Sequence, residues 1–431
     1  SCSRRFFAVL PPPPSPPPLL LSSSQMILRM QVLFGYFGLA LFVGAMAANQ
    51  PFVGAAPNGS LVLRSAVGQE VLVDGVAFQS LLDRLDAQSD QIDSVARQLA
   101  THLSSLRCNT TVADTTSISR LNETDTWFGG VVAANGKIYG IPENAESVLI
   151  FDPATNTADV TSIKVPSGFG KWNGGVLADN GKIYGVPFNA NAVLVVDPAT
   201  NIADFIPVPS GATKWGFGVL AGNGKIYGMP RQATSVLIID PATNTADTTS
   251  IAGLQFEPAG NARWLGGAMA GNGKIYCIPF FADSVLIIDP ATNTADLTSI
   301  MVPTGNYKWW GGVLATNGKI YGIPRDATSV LIIDPTTNTT DTTTMAELSG
   351  RWAGGVLAPN GKIYGIPLSA TSVLVIDPAT NTTDTTSLLV PDGAYKWRGG
   401  VLGSNGKIYG IPGEAESVLV VHSLCTVTGG L

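Results

Sequence analysis

The chain has 431 residues, 45% of them hydrophobic and only 13% charged, with a formal net charge of −6. That balance offers no basic footprint for nucleic acid. Two histidines, His102 and His422, leave almost nothing from which to build a histidine metal site or a Ser–His–Asp triad.

The first 25 residues carry PPPPSPPP, a low-complexity stretch that builds no core. From Met26 the chain reads MILRMQVLFGYFGLALFVGAMAA, with one early charge (Arg29) and an end in small residues, Ala45-Met46-Ala47. This pattern predicts a signal peptide over 26–47 cleaved at an A-x-A site. The alternative is an uncleaved membrane anchor over 30–49, with Arg4, Arg5 and Arg29 on the cytoplasmic side. Either reading places the remainder outside the cell or at its surface. The sequons at Asn58, Asn109, Asn122, Asn338 and Asn381 agree with export and N-glycosylation.

Residues 48–75 mix Pro, Gly and short β-branched runs and read as a small β segment or linker. Over 76–107 the character changes. Phe78, Leu85, Ile92, Leu99 and Leu106 recur every seven residues, with Leu81, Gln88, Val95 and His102 between them. This predicts an amphipathic helix, either a coiled-coil neck making homo-dimers or homo-trimers through 78–106 or a helix lying on the domain that follows.

From 108 to 431 the chain repeats. The phrase NGKIYG, or a near variant, occurs seven times, its lysines at 137, 182, 225, 274, 319, 362 and 407, spaced by 45, 43, 49, 45, 43 and 45 residues. A period of this length with four short strands per unit is the signature of propeller blades. GGVLA predicts the first strand, with Asn-Gly as a two-residue hairpin turn into KIYGIP. SVLIID is the third strand, apolar at four successive positions as expected where both faces are covered. The Thr-rich ADTTSI segment is the exposed fourth strand. The seventh unit stops after its third strand, and the missing fourth lies before the first unit, in NTTVADTTSI (109–118). The fold class is therefore all-β, a seven-bladed propeller closed by its N-terminal strand. Cys108 and Cys425 then both fall in the turn between third and fourth strands of the composite blade, where a disulfide would lock the ring. Cys277 replaces a glycine of the second strand and reads as a small buried hydrophobe.

The phrase GKIYGIPxxAxSVLIIDPATNTADTTSIxVP resembles the YVTN-type propeller repeat and is similar to kelch repeats, in which a G-K-I-Y strand precedes a Y-D-P-x-T-N turn. The resemblance covers 109–424 and implies a propeller; both repeat types host binding proteins, and related propellers include lactonases and lyases. The chain departs from kelch repeats in having Ile-Pro where they carry a double glycine.

Two loop groups share one face. Those entering the first strand carry tryptophans, Trp127, Trp172, Trp215, Trp264, Trp309, Trp352 and Trp397, preceded by Lys171, Lys214, Arg263, Lys308, Arg351 and Lys396, with Thr126 in the first unit. Such pairs could stack sugars or hold anions, or they could wedge blades and cap neighbouring loops. The loops after each proline differ from blade to blade: Glu143-Asn144, Phe188-Asn189, Arg231-Gln232, Phe280-Phe281, Arg325-Asp326, Leu368-Ser369 and Gly413-Glu414. Variation within a rigid repeat is where specificity can be written. The resulting expectation is a non-enzymatic module binding glycans or proteins through this face, with no metal or cofactor. A lactonase- or lyase-like enzyme of the central channel, or a structural matrix component, are the alternatives.

Overall fold

The computed structural model describes residues 111–116, 126–254 and 263–422 in full, with the backbone of 106–110, 423–427 and short segments between 52 and 94. The leader, Cys2, Asn58, Asn122, the side chains of Cys108, Asn109 and Cys425, and nearly all of the helical neck lie outside them. Among the described residues no helix is long and apolar enough to cross a membrane. The chain divides into two compact units, 1–106 and 107–431. In the first, Phe52–Ala55 pairs with Leu61–Arg64, and Leu72–Val73 with Val76–Ala77.

The second unit is a seven-bladed propeller. Six blades are four-stranded antiparallel sheets in sequence order: blade 1 (127–159), blade 2 (172–207), blade 3 (215–247), blade 4 (264–296), blade 5 (309–341) and blade 6 (352–384). Blade 7 takes three strands from 397–427 and its fourth from Leu106–Asp114, so the N-terminal strand closes the ring and removes a free edge. The cysteine placement differs from expectation. Cys108 and Cys425 lie within these two neighbouring strands rather than in a turn, as does Asn109, because the pairing runs longer here than in other blades.

In blade 5, Trp309–Leu314 is innermost, followed by Ile320–Pro324, Leu331–Asp334 and Thr339–Asp341. The Asn-Gly turn is a three-residue loop. Gly318 donates its amide to Ala315 and Ala315 donates to Lys319, with only Gly318 (φ +80°) left-handed. This is a type I turn with a glycine bulge, which accommodates Thr316 and, in blade 6, Pro359 at the position where a type I turn favours proline. The fourth strand is shorter and earlier than ADTTSI suggested. It ends at Asp341, whose carboxylate accepts the amide of Thr343 (2.7 Å) and the hydroxyl of Thr344, wrapping the chain into a turn.

Packing is between blades. The third strands are buried along their apolar runs apart from the half-buried Val375, and each gap holds one cluster, such as Tyr321, Ile323, Val330 and Ile332 of blade 5 against Trp352, Ile363, Leu374 and Ile376 of blade 6. At the axis a Cβ on Gly266 would lie 2.7 Å from the Gly311 Cα, and one on Gly311 2.9 Å from the Gly354 Cα. Between blades 4, 5 and 6 the first strands converge so tightly that only glycine fits, and Gly266 and Gly311 are also left-handed (φ +84° and +81°).

One face carries the turns around Asp-Pro and Asn-Gly. There Asn180 donates to the Tyr184 hydroxyl (2.9 Å), which donates in turn to Asn244 of the next blade (3.0 Å), and Tyr227 and Tyr276 reach Asn293 and Asn338 in the same way. Lys225 pairs with Asp240 at 3.2 Å within its blade, and its counterparts do likewise. Asn338 and Asn381 occupy left-handed, exposed positions in these turns. The opposite face bears the tryptophans and the variable loops.

Candidate functional site

The tryptophan face separates into a uniform layer and a variable one. In the uniform layer all seven tryptophans are buried, and each indole Nε1 donates to a main-chain oxygen twenty residues on in its own blade, at 2.7–2.9 Å. The rings therefore present no face to solvent. Lys171, Lys214, Lys308 and Lys396 are also buried. Their ammonium groups donate to the carbonyls of Ala145, Ala190, Ala282 and Ala370 in the preceding blade, at 2.7–2.8 Å. Desolvation lowers the pKa of Lys214, Lys308 and Lys396. Lys171, Lys214 and Lys396 also sit within 6 Å of the following indole. The lysine–tryptophan pairs thus tie blades to each other and face inward. Arg263 is buried too, whereas Arg351 is half exposed and pairs with Asp326 at 2.6 Å.

Backbone bonds fix the variable layer without engaging its side chains. The Phe280 amide donates to Arg263 O (2.7 Å) while its carbonyl accepts from the Lys308 amide of the next blade (2.8 Å), and the corresponding residues of other blades repeat this. The second residue of each pair is partly consumed in the same task. Asn144 and Asn189 accept main-chain amides of the next blade's loop at 2.8 Å. At the first position, side chains of neighbouring blades 2 to 5 meet one another.

Read alone, that first position alternates over four consecutive blades: Phe188, Arg231, Phe280, Arg325. Reading the loops as residue pairs hides this order. The Arg231 guanidinium lies 4.6 Å from the Phe188 ring centroid and 5.9 Å from that of Phe280. Arg325 lies 5.7 Å from Phe280 and 4.4 Å from Tyr307. The result is a ladder, Phe188–Arg231–Phe280–Arg325–Tyr307, of alternating aromatic and cationic rungs. Phe281 packs on Tyr307 at 4.4 Å and completes its outer end. Tyr307 holds a left-handed backbone (φ +55°) and is 42% exposed, an arrangement that costs about 1–2 kcal/mol for a side chain of this size.

The residue after each tryptophan, which the sequence reading did not single out, forms the inner rim: Phe128, Asn173, Gly216, Leu265, Trp310, Ala353 and Arg398. Its signal is the variable letter in the phrase W-x-G-G. Phe128, Leu265, Trp310 and Ala353 join Phe280 and Leu368 in an apolar cluster at the mouth. Blade 3 breaks the phrase as W-G-F-G and sets Phe217 at φ +58°, where the other blades have glycine. Its ring lies 5.4 Å from Phe128 and lines a central channel of about 160 Å³ whose other walls are glycines.

Across the mouth from the ladder, Glu143 pairs with Arg398 and accepts from the Thr126 hydroxyl at 3.1 Å. Burial raises the Glu143 pKa, opposed by the charges of Arg398 and Arg231. Thr126 stands where six other blades have a cation, so the substitution and its carboxylate partner belong together. Among the described residues no three His, Cys, Asp or Glu side chains gather as a metal cluster. His422 sits on the outer third strand, where the other blades have aspartate. Cys277 is fully buried, and burial raises its thiol pKa.

No protein-family model and no curated protein matches the chain. Among solved structures it is similar to a streptogramin B lyase, with TM-score 0.59, 13% identity, and 73% of this chain covering 98% of that one. It is equally similar to virginiamycin B lyase from Staphylococcus aureus, with TM-score 0.59, 10% identity, and 73% covering 99%. The extracellular domain of a protein described as a hybrid two-component system from B. thetaiotaomicron follows, with TM-score 0.53, 11% identity, and 70% of this chain covering 40% of that one. At these identities the likeness shows the propeller fold alone.

Proposed function

We propose that this propeller is an exported, non-enzymatic binding module that holds a glycan or a protein on its tryptophan face, along the arc of blades 2 to 5. The observation that carries this reading is the ladder from Phe188 to Tyr307, five side chains of non-repeated sequence held in register by a repeated backbone. Scaffold needs do not explain it, because blades 6, 7 and 1 close with Leu368, Gly413 and Glu143 at the same position. Rigid presentation of aromatic and arginine side chains is what binding hot spots require. The leader and sequons support export, and some similar propellers are extracellular domains. Glycans on Asn338 and Asn381 would occupy the Asp-Pro face and leave the ladder open. In this reading the tryptophans act only through stability.

The test is capture of the full chain on a glycan array and a panel of surface proteins, beside the Tyr307→Ala and Phe281→Ala variants. Capture lost in both variants, with unchanged thermal stability, supports the arc; capture unchanged in both removes it. A second reading, a lyase- or lactonase-like enzyme, is favoured by Glu143, a buried carboxyl of raised pKa at an asymmetric channel mouth. Lactone turnover abolished by Glu143→Gln would establish it, and absence of turnover across a lactone panel would remove it.

A further inference from the structure

We propose that the group anchored by this arc is an oxyanion, the carboxylate or sulfate of an acidic saccharide, received by Arg231 and Arg325 on either side of Phe280. This inference rests on the binding reading above and narrows it to one ligand chemistry.

The first argument is charge. Arg231 lies between two rings, and no carboxylate lies within ion-pair distance of it among the described residues. Its polar partner is the Asn173 side-chain oxygen (3.1 Å with the amide turned to suit), and its Nε is shielded from solvent and has no acceptor. The nearest acid, Glu143, is already paired with Arg398. Arg325 shares Asp326 (2.9 Å) with Arg351 (2.6 Å), and its Nε also lacks an acceptor. A shielded guanidinium does not shed its proton at neutral pH, and Arg231 has only the more distant charge of Glu143, shared with Arg398, to offset it, which leaves a cost. An incoming anion removes that cost.

The second argument is direction. Each guanidinium lies close to one aromatic ring, Arg231 at 4.6 Å from Phe188 and Arg325 at 4.4 Å from Tyr307, with Phe280 within 6 Å of both. The N–H groups lie in the guanidinium plane, and a planar fork beside aromatic rings matches the paired oxygens of a carboxylate or sulfate. Phe280 sets the spacing between the two and is itself only 3% exposed, which keeps the rungs from collapsing together.

The third argument selects a saccharide over an acidic peptide. Tyr307 and Phe281 stand at the outer end of the ladder, and Tyr307 is held exposed in a strained backbone conformation. An aromatic ring kept open beside a cation suits the C–H face of a sugar whose acidic group has reached the arginines.

The experiment measures binding of the full-length protein to immobilised dextran, carboxymethyl dextran, dextran sulfate and poly-L-glutamate. Expected is binding to one or both charged dextrans, at least tenfold tighter than to plain dextran or polyglutamate, weakening as salt rises. Which charged dextran wins tells carboxylate from sulfate. Arg325→Gln and Arg231→Gln should each weaken it by about tenfold or more, the range expected for a lost charge-assisted hydrogen bond. Arg325→Lys should restore less than half of the loss, since lysine keeps the charge without the stacked fork. If Arg231→Gln fails to fold, the more peripheral Arg325 pair decides. Lys362→Gln, on the opposite face, should bind like the wild type. Equal binding to plain dextran, or unchanged binding in a folded Arg325→Gln, overturns the oxyanion. Polyglutamate binding as tightly as the charged dextrans replaces the saccharide with an acidic peptide. If charged dextrans fail while a neutral ligand depends on Tyr307, only this inference falls. If their binding survives every ladder variant and drops in Lys362→Gln, the binding face itself is wrong.

Discussion

Three glycine-to-alanine substitutions separate the forces that close the propeller's axis. At Gly266 an added Cβ would meet the Gly311 Cα at 2.7 Å, and the backbone is left-handed at φ +84°. The conformation costs an alanine about 1–2 kcal/mol. Forcing two backbones apart in a packed interior adds roughly 1–3 kcal/mol. Together they predict a loss of about 2–5 kcal/mol. Gly318 has nearly the same φ (+80°) but nothing within 4 Å of its Cβ position, so Gly318→Ala isolates the conformational part, about 1–2 kcal/mol. Gly222 has open space and no left-handed backbone, so alanine there should be neutral or gain about 0.4–1 kcal/mol by restricting the unfolded chain. Urea unfolding of the three variants, with the slope checked for constancy, gives the ranking directly. Gly266→Ala costing no more than Gly318→Ala would refute the claim that neighbouring first strands meet at backbone contact.

Trp352→Ala should destabilise by about 3–5 kcal/mol, since the ring is fully buried, while Trp352→Phe should cost less, the Ser372 hydrogen bond and part of the packing. Ligand capture that fell in Trp352→Phe without loss of stability would contradict a purely structural indole. Hydroxyl hydrogen bonds hold Asp247, Asp296, Asp341 and Asp384 at a pKa of about 2, against 3.8 ordinarily. Folded values below unfolded ones mean a contribution complete above about pH 4 and lost as pH falls towards 2, small per site because these groups are solvent-screened. Unfolding midpoints should therefore hold from pH 7 to 5 and fall below 4; a midpoint unchanged at pH 2 would contradict this. We also propose a Cys108–Cys425 disulfide across the closing strands, worth up to about 5 kcal/mol from loop entropy. A non-reducing peptide map of the full-length chain should contain the linked pair, and its absence would remove the proposal.

The blade count and the strand order were legible because their marks recur in six or seven of the units, and the ring closure because the last unit lacks the fourth strand that precedes the first. Asn-Gly, Ile-Tyr-Gly and Asp-Pro mark turns and pleats whose geometry is local. The uniform tryptophans and lysines were harder. Their chemistry suits a ligand as well as a blade interface, and only burial of Trp352 and the reach of Lys396 to Ala370 show the inward direction. The ladder was least legible, although its letters were noted. Phe188, Arg231, Phe280 and Arg325 are more than 40 residues apart in sequence, and it is the closed ring that makes them neighbours. Phe217 went unmarked because its meaning lies in the glycine it displaces. The fourth strand was misplaced because Asp341 bonds its own downstream amides, a side-chain capture that ends the strand four residues sooner than the ADTTSI pattern suggests.

Hydrogen exchange of the wild-type protein with and without its tightest array ligand tests the central claim most directly. The account predicts protection confined to peptides around 186–190, 229–233, 278–282 and 305–327, with the turns around Asp240, Asp334 and Asp377 unchanged. Protection at those Asp-Pro turns, or on blades 6 and 7 alone, would contradict it.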